Sequence, residues 1–325
     1  MQTYEKMGAF YLGKTVDVEQ DKVTDELVLY DAKDLTTHGV IIGMTGSGKT
    51  GLGVGLIEEA ALDKVPVIAI DPKGDLGNLL LTFPEFKGEQ FEPWVNARQA
   101  EDKGQSVADY ASEQAQFWQK GLDSWGQDGE RVQRLKDSAE FTIYTPGSDA
   151  GVPISVLNSF AAPSDAVRND ADAYREHLQS TTTGVLTLLG IDADPLTSRE
   201  HILISNVLDH MWQQGRDLGI EELIGAIQQP PMKKIGVMAV DDVFPAKDRF
   251  KLAMQINNLL ASPGFEAWRQ GVALDAQKLL YTDSGKPRVS VISIAHLNDN
   301  ERMFFVTLLL SELVGWMRSQ AGTSS

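Results

Sequence analysis

Residues Gly43-Met44-Thr45-Gly46-Ser47-Gly48-Lys49-Thr50 have the types and the spacing to hold a chain of phosphates. They read G-x-x-x-x-G-K-T, the pattern of a phosphate-binding loop. Backbone N–H groups must wrap the anion, so side chains must stay out of the way. Gly43, Gly46 and Gly48 let the chain turn tightly and come close. Lys49 is placed to reach the β- and γ-phosphates, and the Thr50 hydroxyl to ligate Mg²⁺. The helix that starts here aims its positive end at the anion. Nucleotide binding is assigned to Gly43, Met44, Thr45, Gly46, Ser47, Gly48, Lys49, Thr50 and Gly51, with ATP and Mg²⁺ as the implied cofactors. The bland alternative is a glycine-rich turn that holds no ligand.

Such a loop needs a buried strand before it and a helix after it. The short apolar run Val40-Ile41-Ile42 predicts the strand. Leu52, Val54, Leu56, Ile57, Ala60 and Ala61 recur at helical spacing, with Glu58 and Glu59 on the other side. Val65-Pro66-Val67-Ile68-Ala69-Ile70 then reads as a fully buried parallel strand. It ends in Asp71-Pro72-Lys73-Gly74-Asp75. In open α/β sheets ligands bind at the C-terminal ends of strands. Asp71 is therefore expected near Mg²⁺ or its waters and acts with Lys49 in catalysis, with Asp75 a weaker candidate. A turn built on Pro and Gly is also ordinary chain reversal.

The 325 residues suffice for one large or two ordinary domains. With 42% hydrophobic and 23% charged residues the chain reads as soluble and globular. No apolar run follows a basic start at the N-terminus, so no signal peptide is expected. Residues 303–317 form the longest apolar stretch, too short and too polar for a membrane span. The chain has no cysteine, which excludes disulfides, thiolate zinc sites and cysteine nucleophiles and fits a cytoplasmic protein. A net charge of −17 argues against a general basic surface for nucleic acid, though not against a local basic lining.

Two short β-like pieces, Phe10-Tyr11-Leu12-Gly13 and Glu26-Leu27-Val28-Leu29-Tyr30, precede the loop. Residues 84–138 change character: Trp94, Trp118 and Trp125 stand among polar residues. Residues 106–121 predict an amphipathic helix with Val107, Tyr110, Ala111, Ala115, Phe117 and Trp118 on one side. Aromatics anchoring a small helical subdomain are expected there, rather than rings that stack on bases. Phe141-Thr142-Ile143-Tyr144 returns to strand pattern, and residues 152–157 suggest another short strand. Residues 163–280 read as mostly helical. His201 and His210, nine apart, do not share a face as i, i+4 metal ligands would. Residues 288–295 form a strong buried strand, followed by a helix capped at Asn298 or Asp299 and apolar nearly all round.

A hydrolase with such a loop needs a second motif, a buried strand ending in two acids that hold Mg²⁺ and polarise water. Gly236-Val237-Met238-Ala239-Val240-Asp241-Asp242 has that outline, but its apolar run is short and lies inside the helical region. The strand at 288–295 ends in Ala295-His296 and meets no acid before Asp299. His296 can contact a phosphate or a neighbouring subunit, or serve as a structural strand-end histidine.

Two stretches carry a family resemblance. Thr37-His38-Gly39-Val40-Ile41-Ile42-Gly43, running into Met44–Thr50, resembles the nucleotide loop of the HerA/FtsK superfamily. Val67-Ile68-Ala69-Ile70-Asp71-Pro72-Lys73-Gly74-Asp75 is similar to that superfamily's second-strand motif, Asp-Pro-x-Gly-acid. The helical insertion before strand 288–295 fits the HerA-like branch. The resemblance covers the first 80 residues well and the last 40 in outline. It implies an α/β fold: a RecA-like P-loop NTPase core with a mainly parallel sheet, large helical insertions and a short N-terminal β element. It further implies a homo-oligomeric ring, a hexamer, that moves or unwinds DNA by ATP hydrolysis, with a nuclease partner and no membrane. In that family the acidic strand follows the counterpart of helix 301–318. The expectation is therefore that this chain is an N-terminal portion of a longer ATPase, with a short variant using Asp241 and Asp242 as the other option.

The expected organisation is an N-terminal β element at 1–36 and an ATPase core at 37–83, 139–158 and 285–325. A helical insertion fills 84–138 and a helical subdomain 159–284. The leading function is the ATP-binding ATPase module of a HerA-like DNA translocase or helicase. The alternative is a nucleotide-dependent assembly or switch module with slow or no hydrolysis. A small-molecule kinase lacks an evident acceptor site. A GTPase lacks an Asn-Lys-x-Asp-like base-reading motif.

Overall fold

A computed structural model describes residues 4–156 and 160–320. Leu157, the last residue of the predicted strand at 152–157, lies outside the described residues, as do 321–325. The chain divides into two compact units, and its three-stranded parallel sheet contributes residues to both.

The first unit comprises Met1–Ala69, Asp75–Thr142 and Leu280–Val291. It opens on an antiparallel hairpin of β1 (Ala9–Asp17) and β2 (Lys22–Asp31), longer than the two predicted pieces. Phe10 and Tyr11 are buried, while Val16, Val18, Val23, Val28 and Leu29 are exposed. The hairpin is tied to helix α1 (Lys49–Leu62): Tyr11 N donates to Glu59 at 3.0 Å and Gly8 N to Asp63 at 2.7 Å. Ala61 packs with Leu135, Ala139 and Val289 in a small apolar cluster.

Strand β3 (Val67–Asp71) forms where predicted. Helix α2 (Val107–Ser124) is capped by the Ser106 hydroxyl, which accepts from Asp109 N. Helix α3 (Gly129–Ser138) is capped in the same way by the Asp128 carboxylate. The face predicted for α2 is only half right. Tyr110, Ala111 and Ala115 are buried, but Phe117 and Trp118 are exposed, as are Trp94 and Trp125. These rings do not anchor the subdomain; Trp94 and Trp118 border an open cavity instead.

The second unit comprises Ile70–Gly74, Ile143–Leu279 and Ile292–Ser325. Strand β4 (Glu140–Tyr144) leads into it, and helices α4 (Ala171–Leu188), α5 (Arg199–Trp212), α6 (Ile220–Gln228) and α7 (Ala246–Ala261) build its core. Strand β5 (Arg288–Ser293) lies between β3 and β4. Val289, Ser290, Val291 and Ile292 are all buried, as a central strand covered on both faces requires. Helix α8 (Asp299–Ser319) is capped by Asn298, with Glu301 completing a capping box. Helices α4 and α8 pack at Gly184, where a Cβ would meet Phe304 and Leu308 at 3.6 Å, an ordinary contact. The expectation that α8 is enclosed all round is corrected. Phe304, Phe305, Leu308 and Leu309 are buried, but Met303, Leu310 and Met317 are exposed, because α4 and its neighbours cover one side of the helix only.

No helix among the described residues is long and apolar enough to cross a membrane.

Candidate functional site

The loop is shaped by its glycines. Gly46 and Gly48 have φ of +78° and +89°, left-handed conformations that side chains resist. A Cβ at Gly43 would stand 2.4 Å from Ser47 Oγ, so that hydroxyl would have to turn away. The loop folds back on itself, with Ser47 N donating to Met44 O at 3.2 Å. Helix α1 begins at Lys49, with Gly48 at its cap and no side chain satisfying its first N–H groups. Those donors and the helix dipole meet at the loop.

Two side chains complete the cradle. Lys49 Nζ donates to Met44 O at 2.6 Å, so the ammonium lies across the loop's own carbonyl. Thr50 Oγ1 donates to Asp75 Oδ2 at 3.3 Å. That contact fixes the hydroxyl proton and leaves the oxygen lone pairs to a cation. The donor set, a hydroxyl beside a carboxylate next to an N–H-rich loop, fits a phosphate-bound Mg²⁺. The side-chain-free cradle at Gly43 fits a polyphosphate.

One expected positioning element is missing. Val40-Ile41-Ile42 forms no strand, and Val40 and Ile42 are 80% and 89% exposed. The run has strand-forming side chains but no described strand pairs with it, and unpaired backbone does not make a strand.

Asp71 is 2% exposed, and its Oδ1 accepts from Lys73 N at 3.1 Å and Gly74 N at 2.7 Å. This carboxylate holds the turn that runs on into Asp75. The sequence ranked Asp71 above Asp75 beside Mg²⁺, whereas it is Asp75 that bonds Thr50. The chain alone gave no means to tell which of two acids in one turn faces the loop.

Asp241 and Asp242 do not end a core strand. Residues Lys234–Ile235 and Met238–Ala239 pair as a minute hairpin, and both acids sit in the first turn of a short helix, Val240–Val243. Asp241 accepts from Arg249 at 2.7 Å, and Arg249 also donates to Phe244 O at 2.6 Å. Gly236, with φ of +57°, turns the chain back after two residues, which is why the apolar run cannot extend into a sheet.

His296 Nε2 donates to Pro146 O at 2.8 Å, linking the segment after β5 to the turn after β4. Arg302 of α8 donates to Ile294 O at 3.1 Å and Ala295 O at 2.9 Å, closing the end of the same strand.

On the far side of α1 the sequence predicted a polar face at Glu58 and Glu59. Glu59 is buried, because Arg131 from α3 donates to it at 2.5 Å and the hairpin supplies Tyr11 N. Arg131 also donates to Glu5 at 2.8 Å. Glu58 borders the cavity. Burial pushes its carboxyl up to about 7, against the opposing pull of Arg131. Nothing in the local sequence signals either role, since the partners lie far away along the chain.

No group of three or more His, Asp or Glu side chains that could hold a metal occurs among the described residues. Comparison with known families finds that the model of "Helicase HerA, central domain" matches residues 10–313. A comparison with curated proteins found no match.

Proposed function

The chain belongs to the HerA helicase central-domain family, P-loop ATPases of the HerA/FtsK type, and from that premise we propose that it binds Mg–ATP at Gly43–Gly51 and couples its hydrolysis to movement along DNA. The observation that carries this reading is the loop itself. A glycine cradle, left-handed at Gly46 and Gly48, opens onto helix α1, with Lys49 and Thr50 at its mouth. Lys49 exchanges the Met44 carbonyl for phosphate oxygens. Thr50 and Asp75 hold the cation together, and Asp71 keeps the turn that presents Asp75. Bound Mg²⁺ offsets the negative charge that phosphoryl transfer concentrates on the phosphates.

Ring assembly, a hexamer and a nuclease partner remain part of this reading through the family. One observation favours a second reading. The net charge of −17 opposes contact with DNA, and it suits an assembly or switch module that responds to ATP without DNA.

The test is nucleotide binding and turnover with and without duplex DNA. The chain is expected to bind ATP in a Mg²⁺-dependent way, and Lys49→Ala to weaken that binding at least about tenfold. Failure of the unsubstituted chain to bind ATP overturns the proposal. Binding and turnover that DNA does not raise leave the switch reading in place of the translocase.

A further inference from the structure

The cavity bordered by Glu58 lies in the first unit, and the phosphate loop does not use it. It has a volume of about 540 Å³, within the range of small-molecule sites. Its walls include Phe83, Phe91, Trp94 and Trp118. Phe83 and Phe91 meet at 4.9 Å between centroids with planes tilted by 56°. Trp94 and Trp118 leave 62% and 55% of their surface exposed. Large half-exposed rings at a cavity wall offer apolar surface and, face-on, an electron-rich π-system to whatever enters.

One charged wall of this cavity is incomplete. Glu58 makes no hydrogen bond or ion pair among the described residues, and it projects from α1 into the aromatic enclosure. Arg131 also borders the cavity, but it is already shared by Glu59 and Glu5, and Glu5 is further paired with Arg134 at 2.5 Å. Three carboxylates thus face two guanidinium groups. The cluster lacks one positive charge, and the missing charge belongs beside Glu58. Another ring of the wall, Tyr110, already carries a cation: Lys103 Nζ lies 4.9 Å from its centroid.

We propose that this cavity is a binding site for a small organic cation with an apolar body, its charge held between the Glu58 carboxylate and the faces of Trp94 and Trp118. Cation–π attraction to tryptophan is strongest where water is excluded. A carboxylate among apolar rings is costly without a partner, and a bound cation removes that cost. Glu58 stands on α1 nine residues after Lys49, so the cavity and the phosphate loop share one helix.

The site has a signature in pH. Glu58 titrates at about 7, so ionised carboxylate rises from about one-tenth to about nine-tenths between pH 6 and 8. A permanent cation binds the ionised form, so binding tightens by up to about tenfold over that interval. The charged groups that act on Glu58 are Arg131 from α3 and Glu59 from its own helix, and Tyr110 of α2 is the other titratable wall group. A guanidinium does not titrate between pH 6 and 8, so Arg131 keeps its charge throughout.

The experiment uses two probes of matched shape, acetylcholine and its uncharged carbon isostere 3,3-dimethylbutyl acetate, titrated calorimetrically into the full chain. Acetylcholine is expected to bind at least about tenfold more tightly than the isostere at pH 8, with the difference shrinking at pH 6. Glu58→Gln is expected to weaken acetylcholine at least about fivefold at pH 8, leaving the smaller preference supplied by the Trp94 and Trp118 rings, and to abolish the pH dependence. Trp118→Ala is expected to weaken acetylcholine while ATP binding at the loop persists, which shows that the fold is intact. Equal binding of the two probes, no binding of acetylcholine, or an unchanged affinity in Glu58→Gln overturns the proposal. None of these outcomes depends on whether the chain hydrolyses ATP.

Discussion

Gly43 stands directly against Ser47 within the loop. A methyl group there would come within 2.4 Å of Ser47 Oγ and 3.4 Å of Ser47 Cβ and Lys49 Cγ. The conflict is with one short side chain, so it can be relieved by removing that side chain. Gly43→Ala is expected to weaken ATP binding about tenfold, near 1.4 kcal/mol, by displacing Ser47 and the Lys49 stem. Adding Ser47→Gly is expected to recover part of the loss, because the two substitutions act on one contact and are not additive. Isothermal titration of the four proteins measures the coupling; simple additivity rules out this contact as the cause. At the same scale Thr50 and Asp75 belong together through their 3.3 Å hydrogen bond. The glycine spacing made the loop legible from sequence, since few backbones need three such residues at those positions. The partner of Thr50 was not legible, because Asp71 and Asp75 occupy one turn and only its folding separates their roles.

Helix α1 shows what an element hides from a sequence reading. Its apolar spacing predicted a helix, and a helix forms over Lys49–Leu62. Its second face looked solvated because it carries Glu58 and Glu59. In the fold that face is covered, and Glu59 is buried against Arg131 of α3. The pair is separated by 72 residues, so periodicity cannot reveal it. The converse holds for Val40-Ile41-Ile42, where composition predicts a strand and the absence of a described pairing partner leaves exposed chain. Burial of the Glu59–Arg131 pair has a measurable consequence. Arg131→Met leaves two carboxylates, Glu59 and Glu5, without their shared cation and is expected to cost about 3 kcal/mol. Combining it with Glu59→Leu is expected to restore much of that, since the remaining buried charge is then removed. Urea midpoints of the single and double variants decide the matter. A double variant no more stable than the single one means that packing of the Arg131 stem, not charge, holds α3 to α1.

At the scale of the molecule the α/β class and the parallel order of β3, β5 and β4 follow from apolar runs of strand length separated by helices. Strand order itself is not written in any one run, and β5 lies between two strands that precede it by more than 140 residues. The charge of the whole chain bears on the choice between the two functional readings. Contacts to DNA phosphates release counterions, and binding then weakens with salt by a slope of about −0.9 per phosphate contacted on a log–log scale. A net charge of −17 opposes the approach of DNA, so contact calls for a local basic lining. The translocase reading therefore predicts negligible DNA binding without nucleotide at moderate salt. With Mg–ATP it predicts assembly into a larger species and binding whose salt slope corresponds to a few contacts. Lys49→Ala is expected to lose both together. Sedimentation and DNA anisotropy across a salt series, each with and without Mg–ATP, read the two effects in the same samples. Assembly that depends on Lys49 but brings no DNA affinity at any salt concentration identifies a switch, because nucleotide then changes the association of subunits without creating a basic lining.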